Sequence, residues 1–149
     1  MSNLVAAILR PQLAQVDARN ERWRRIYNRL ARQIAEIPHL EVPARPQEEE
    51  FAPTSIQFSI TGIERSRIAQ FVEEAAAHGV HVKWFGAADP IGFTSRHDHW
   101  RYVENRQSVP GADQLLAGLC DLRLPLSLTS EDCDTIAKVL DEAMWAIGS

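Results

Sequence analysis

Apolar residues recur along this chain at two rhythms, one of three to four residues and one of two, and the switches between them mark the elements. Leu4, Val5, Ile8 and Leu9, with Ser2 placed as a cap, predict a first helix. Pro11 is expected to end or kink it near Arg10, because the proline ring clashes with a carbonyl one turn back. Val16, Trp23, Ile26, Tyr27, Leu30, Ile34 and Ile37 form the stripe of a second, longer helix, from about Gln15 to Ile37, and Pro38 stops it. From Thr54 to Ile60 the rhythm becomes two: Ile56, Phe58 and Ile60 alternate with Ser55, Gln57 and Ser59, which predicts a strand with one buried face. Thr61-Gly62 turns the chain. Ile68, Phe71, Val72 and Ala75 then give the core face of a helix from Glu64 to His78. Gly79 suits the left-handed position that ends many helices, with Val80 as its usual apolar follower. Val80, Val82 and Trp84 predict a second strand.

The clearest pattern lies between Cys120 and Ala146. Leu122, Leu124 and Leu126 alternate with Asp121, Arg123 and Pro125, a third strand; Pro125 lacks a donor N–H and suits its edge or end. Thr129 is a good N-cap, and Glu131 and Asp132 put negative charge on the positive end of the helix that follows. Cys133, Ile136, Ala137, Leu140, Ala143, Met144 and Ile147 recur at helical spacing along one face. A short helix through Leu115, Leu116 and Leu119, begun near Pro110, precedes the third strand.

This order predicts an α+β fold: a small three-stranded sheet packed on one side by helices and preceded by two N-terminal helices. The strand–helix–strand unit should cross over right-handed, and the third strand should pair antiparallel to the first. One domain spans residues 1–149 in this reading. Residues 1–37 form the N-terminal helices and 38–53 an extended, exposed connector marked by Pro38, Pro43, Pro46, Pro53 and the run Glu48-Glu49-Glu50. Residues 54–149 form the layer, with an irregular loop over 86–110.

Composition narrows the function classes. A chain of 149 residues with 45% apolar and 24% charged content has room for one real core. Its net charge of −4 gives no global pull toward nucleic acid or anionic membrane. No apolar run is long enough to span a bilayer, the first ten residues lack signal-peptide order, and a cytoplasmic location is expected. Arg22, Arg25, Arg29 and Arg32 share the polar face of the second helix, with Arg19 and Arg24 nearby. A nucleic-acid footprint would need stacking aromatics there; a solvated face is the expectation. Cys120 and Cys133 make neither a disulfide framework nor a zinc pattern, and read as small buried hydrophobes.

Chemistry concentrates in the irregular loop, where periodicity is lost and Arg96, His97, Asp98, His99, Trp100, Arg101 and Tyr102 follow one another. Long loops with such residues are commonly sites or partner contacts. His97-Asp98-His99 alone does not make a metal site, since three donors so close in sequence need partners from elsewhere. Ser95 lacks a nucleophile-elbow context.

Several stretches together resemble the C-terminal part of the DegT/DnrJ/EryC1/StrS aminotransferases. Met1 to Leu13 is similar to that family's "methionine, small or polar, …alanine-alanine…glutamine-leucine" helix, and Arg25, Tyr27 and Leu30 fall where its arginine–tyrosine–leucine helix lies. Arg65 or Arg67 with Ile68, then His78-Gly79-Val80, match its next helix and strand. Pro110 to Leu115, Leu124-Pro125 and the Thr129–Asp132 turn match its last strand and closing helix. The resemblance covers nearly the whole chain.

It implies a part of a fold-type I pyridoxal phosphate (PLP) enzyme that aminates nucleotide-linked keto-sugars. The family's cofactor-binding lysine, pyridinium aspartate and phosphate groups would all lie upstream of Met1. The only lysines here are Lys83 and Lys138, both expected to be solvated, so PLP is expected in the complete family enzyme and not on this chain alone. By the same resemblance, the loop would border the substrate entrance, with Arg96, His97, His99, Trp100 and Tyr102 as candidate substrate contacts; Arg96 could pair with a phosphate and the aromatics could pack on a base or sugar. Relatives often carry a histidine soon after the proline that follows the second strand, whereas Pro90 is followed by Ile91-Gly92-Phe93. The same residues equally fit a loop anchored by Trp100 and Tyr102 with solvated charges. Expected partners are a second copy of the chain or an N-terminal aminotransferase chain. The competing reading is a non-catalytic interaction module that oligomerises through its N-terminal helices.

Overall fold

A computed structural model describes residues 2–46, 48–90, 100 and 108–148. Its elements are α1 (Asn3–Leu13), α2 (Val16–Ile34), β1 (Leu40–Glu41), β2 (Ser55–Ile60), α3 (Arg65–Ala77), β3 (Lys83–Trp84), α4 (Pro110–Gly118), β4 (Leu119–Arg123) and α5 (Ser130–Gly148). The α+β class is as expected, but the sheet has four strands in the order β1-β2-β4-β3, one more than the pattern predicted. The extra strand is β1, inside the supposed connector, where Leu40 pairs with Ile60 and Glu41 with Ser59. Two residues between prolines are too few to show a period.

β4 is the hub of the sheet. It runs antiparallel to β2, with Ile56 opposite Leu122 and Phe58 opposite Cys120, and antiparallel to β3, with Trp84 opposite Cys120. The expected pairing of third strand with first is therefore observed. The strand predicted from Val80 is shorter than expected: only Lys83 and Trp84 pair, while Val80 and Val82 are buried ahead of it. Leu124 continues beyond β4 through a bond from its N–H to the Thr54 carbonyl (3.0 Å).

Period two places Ile56, Phe58, Ile60, Cys120 and Leu122 on one face, all buried, while Gln57 on the other is exposed. Against this core lie Leu30 and Ile34 of α2, Ile68, Phe71 and Ala75 of α3, and Leu140, Ala143, Met144 and Ile147 of α5. α5 touches both α2 and α3, so the three form the covering layer. The right pattern on each helix explains this: each buries one stripe and leaves its charged face to water.

Three local devices hold the layer. α3 ends in a Schellman motif, with Gly79 at φ +85°, its N–H donating to Ala76 and that of Val80 to Ala75 (both 2.9 Å). Asp134 on α5 accepts two bonds from Arg29 (2.9 and 2.7 Å) and one from Gln33 (2.6 Å), tying α2 to α5. Trp23 reaches from α2 to donate to the Leu124 carbonyl at 2.8 Å.

Arg45, Glu49 and Phe51 are also less free than residues of an exposed connector. The Arg45 guanidinium lies 4.0 Å from the Phe51 ring centroid and 5.5 Å from that of Tyr27, and it pairs with Glu49 at 3.0 Å. Tyr27 and Phe51 themselves meet edge to face at 5.3 Å. Pro53 is buried.

α1 departs furthest from expectation. It continues through Pro11 to Leu13, three residues beyond the predicted stop near Arg10. The proline falls in the last turn. None of its residues is buried; Leu4 is 71%, Ile8 53% and Leu13 69% exposed.

The start of α5 is a reciprocal cap. Thr129 donates its N–H and hydroxyl to Asp132 (2.8 and 2.7 Å), and Asp132 N–H returns a bond to the Thr129 oxygen (3.2 Å). The Asp132 carboxyl is held below the usual range by the Thr129 backbone and side-chain bonds, and that of Asp134 by Arg29 and then Gln33. Groups depressed on folding add stability above their unfolded value, about 3.9 for aspartate, and lose it as pH falls through the lower folded value. The urea midpoint should therefore stay flat down to the unfolded aspartate value and decline below it. Asp134→Asn should shift the midpoint down at neutral pH and shallow that acid decline; an unchanged profile would count against the α2–α5 tie.

Candidate functional site

Of the five candidate substrate contacts, Trp100 is described and is 43% exposed. Arg96, His97, His99 and Tyr102 lie outside the described residues, as does most of the His97-Asp98-His99 neighbourhood. The fold does define what flanks this stretch. On one side β3 leads through Phe85, whose N–H donates to the Leu119 carbonyl at 2.9 Å, to Gly86 and Pro90. On the other, Val109 precedes α4, with Pro110 at its first position, where its missing N–H has no helical partner to lose.

The two flanks are pinned together beneath the sheet edge. Trp84 Nε1 donates to the Ala117 carbonyl of α4 at 2.8 Å. Arg65, from the first turn of α3, lies 5.6 Å from the Trp84 ring centroid and donates to the Gly86 carbonyl. A cavity of about 60 Å³ remains among Arg65, Gly86, Asp113, Leu116 and Ala117. Gly86 is required by this close packing: a Cβ there would sit 2.6 Å from Trp84 Nε1 and 2.7 Å from the Ala117 oxygen. Gly118 is fixed similarly, since its Cβ would fall 2.4 Å from the Ile60 carbonyl oxygen. Sequence reasoning did not find this Arg65–Trp84–Gly86–Ala117 cluster. The lone glycines gave a weak signal; the α3–α4 approach that gives them meaning is not periodic.

Neither lysine is fully buried, the setting that desolvates an amine for reaction. Lys138 is 74% exposed on α5 and pairs with Glu142 at 3.5 Å. Lys83 is half-buried on the edge strand β3, with its Nζ 5.2 Å from the Phe85 ring centroid. The thiols are inert in a different way: both are buried, and burial, with Asp121 adding to it, pushes Cys120 up to about 12. Among the described residues no three His, Cys, Asp or Glu side chains gather to hold a metal, and no helix is long and apolar enough to cross a membrane.

Solved structures that overlay on this chain include aminotransferases, and they show the fold. TlmJ from Streptoalloteichus hindustanus matches with a TM-score of 0.78 at 18% identity, over 95% of this chain and 36% of its own. Spr1654 from Streptococcus pneumoniae, in its PMP form, gives 0.80 at 16% identity, over 99% and 36%. The sugar aminotransferase CalS13 from Micromonospora echinospora gives 0.68 at 20% identity, over 87% and 32%. The chain thus spans about a third of the length of these structures. The fold is that of about a third of each of these structures. No curated protein matches it. The DegT/DnrJ/EryC1/StrS aminotransferase family profile matches residues 1–141, and the chain belongs to that family.

Proposed function

We propose that this chain serves as the C-terminal portion of a PLP-dependent aminotransferase acting on nucleotide-linked keto-sugars, closing over and positioning the substrate, with no catalysis of its own. The observation that carries this reading is one of coverage: the family profile runs through 141 residues, yet the matched aminotransferases are about three times as long. The cofactor and the amine that holds it belong, in this reading, to the remaining part. Arg96, His97, His99, Trp100 and Tyr102 are then the groups facing the substrate, with Arg96 toward a phosphate and the aromatics toward a base or sugar.

The test is direct. Purified chain incubated with PLP, then treated with borohydride, should show no Schiff-base absorbance band and no reduced adduct by mass spectrometry. An adduct mapped to Lys83 would overturn the claim that the chain is inactive alone. Joined or mixed with a lysine-bearing part that restores turnover, Arg96→Ala should raise KM for the nucleotide-sugar more than it lowers kcat.

A second reading is favoured by α1. Its exposed Leu4, Val5, Ile8, Leu9 and Leu13 give an apolar surface with Arg10 as the single charge, which suits a permanent contact better than a transient one. The chain then works chiefly as an interaction module, through a second copy or the missing part of the enzyme.

A further inference from the structure

A cavity of about 300 Å³ lies between α2 and the first turn of α5, with Arg22, Arg25 and Arg29 on one wall and Thr129 and Ser130 on the other. The three arginines are three and four residues apart, so they share one side of α2 and are strung along about 10 Å of its axis. The facing wall is the positive end of α5. Ile26, Leu128 and Cys133 form an apolar floor.

Two of the carboxylates beside this cavity are already engaged. Asp134 is taken by Arg29 and Gln33, and Asp132 is folded back onto Thr129. Glu21 pairs with Arg25, but both side chains are two-thirds exposed (67% and 68%), so the pair contributes little and opens readily. Glu131 is exposed on the first turn of α5. Arg22 has no hydrogen-bond or ion-pair partner among the described residues. Arg22 therefore faces an open, ligand-sized space with no internal anion bonded to it, and Arg25 beside it is held only by an exposed pair.

We propose that this cavity binds a small molecule through two adjacent phosphate groups, a diphosphate, with Arg22 and Arg25 as the principal contacts and the apolar floor beneath any attached group. A bidentate guanidinium matches each phosphate, and the length of the arginine row exceeds what one phosphate needs. A polynucleotide fits less well, because no exposed aromatic stands in the row to stack on bases. The proposal is independent of the aminotransferase reading, since it concerns binding alone.

Titration of the whole chain at low ionic strength with orthophosphate, pyrophosphate and uridine diphosphate tests it, by calorimetry and by NMR of the arginine side chains. Pyrophosphate should bind saturably, one per chain, about tenfold tighter than orthophosphate, the step expected from one added charge-assisted bond. Equal affinity for uridine diphosphate would assign the binding to the bare diphosphate; tighter binding would assign a role to the floor. The R22A/R25A double variant, which alters exposed side chains only, should keep its circular dichroism and urea midpoint and lose at least tenfold in affinity. No saturation at millimolar pyrophosphate overturns the proposal. So does affinity unchanged in R22A/R25A, or single-stranded RNA bound more tightly than pyrophosphate and weakened as much by R19A, R24A or R32A.

Discussion

Replacing Phe58 by alanine is expected to destabilise the fold by about 3–5 kcal/mol, the range for emptying a buried aromatic site. Phe58 is fully buried in β2, opposite Cys120 of β4, where strand and helix layers meet. Ordinary domains are stable by about 5–15 kcal/mol, so such a loss removes a large share of the total. A two-state urea titration should show a midpoint shift of matching size with little change in slope. Gln57→Ala, one residue away on the exposed face, is the control and should shift the midpoint by no more than about 0.5 kcal/mol. Similar effects at both positions would mean that the face assignment is wrong.

Removing residues 2–13 should produce the opposite outcome: almost no change in stability and a large change in solution behaviour. No α1 residue is buried, and stability follows burial. The truncated chain should keep the parent's urea midpoint, bind less of an apolar dye, and give a lower average mass than the full chain in light scattering at matched concentration. The pair Leu4→Glu and Ile8→Glu should mimic the truncation without shortening the chain. A fall in stability comparable to that of Phe58→Ala would show instead that α1 packs on its own fold.

What could be read without coordinates followed from how local the cause was. β2, α3 and α5 each carry their own period, and Gly79 announces its helix end within three residues, so these elements match within a residue or two. β1 could not be read, because Leu40–Glu41 is a strand only by virtue of its pairing with Ile60 and Ser59. The Arg29–Asp134 tie joins residues 105 apart in the chain, and the Arg45 sandwich depends on a ring contact with Tyr27 from α2. Such partnerships have no signature in spacing. Arg29 looked like one more solvated arginine of a polar face, yet it is half of a bidentate pair. The family resemblance was legible because it drew on many short stretches at once. The site loop was named by its composition, and of its five candidates only Trp100 falls within the described residues.

The position of β4 has a bearing on how this protein is made. Both of its neighbours, β2 and β3, are synthesised well before it, and they do not bond to each other. A nascent chain that has not yet released Leu119–Arg123 from the ribosome therefore carries two strands, β2 and β3, whose edges toward β4 are unpaired. Growth of the sheet awaits the release of Leu119–Arg123, and pausing before that point should leave the emerging chain dependent on chaperones.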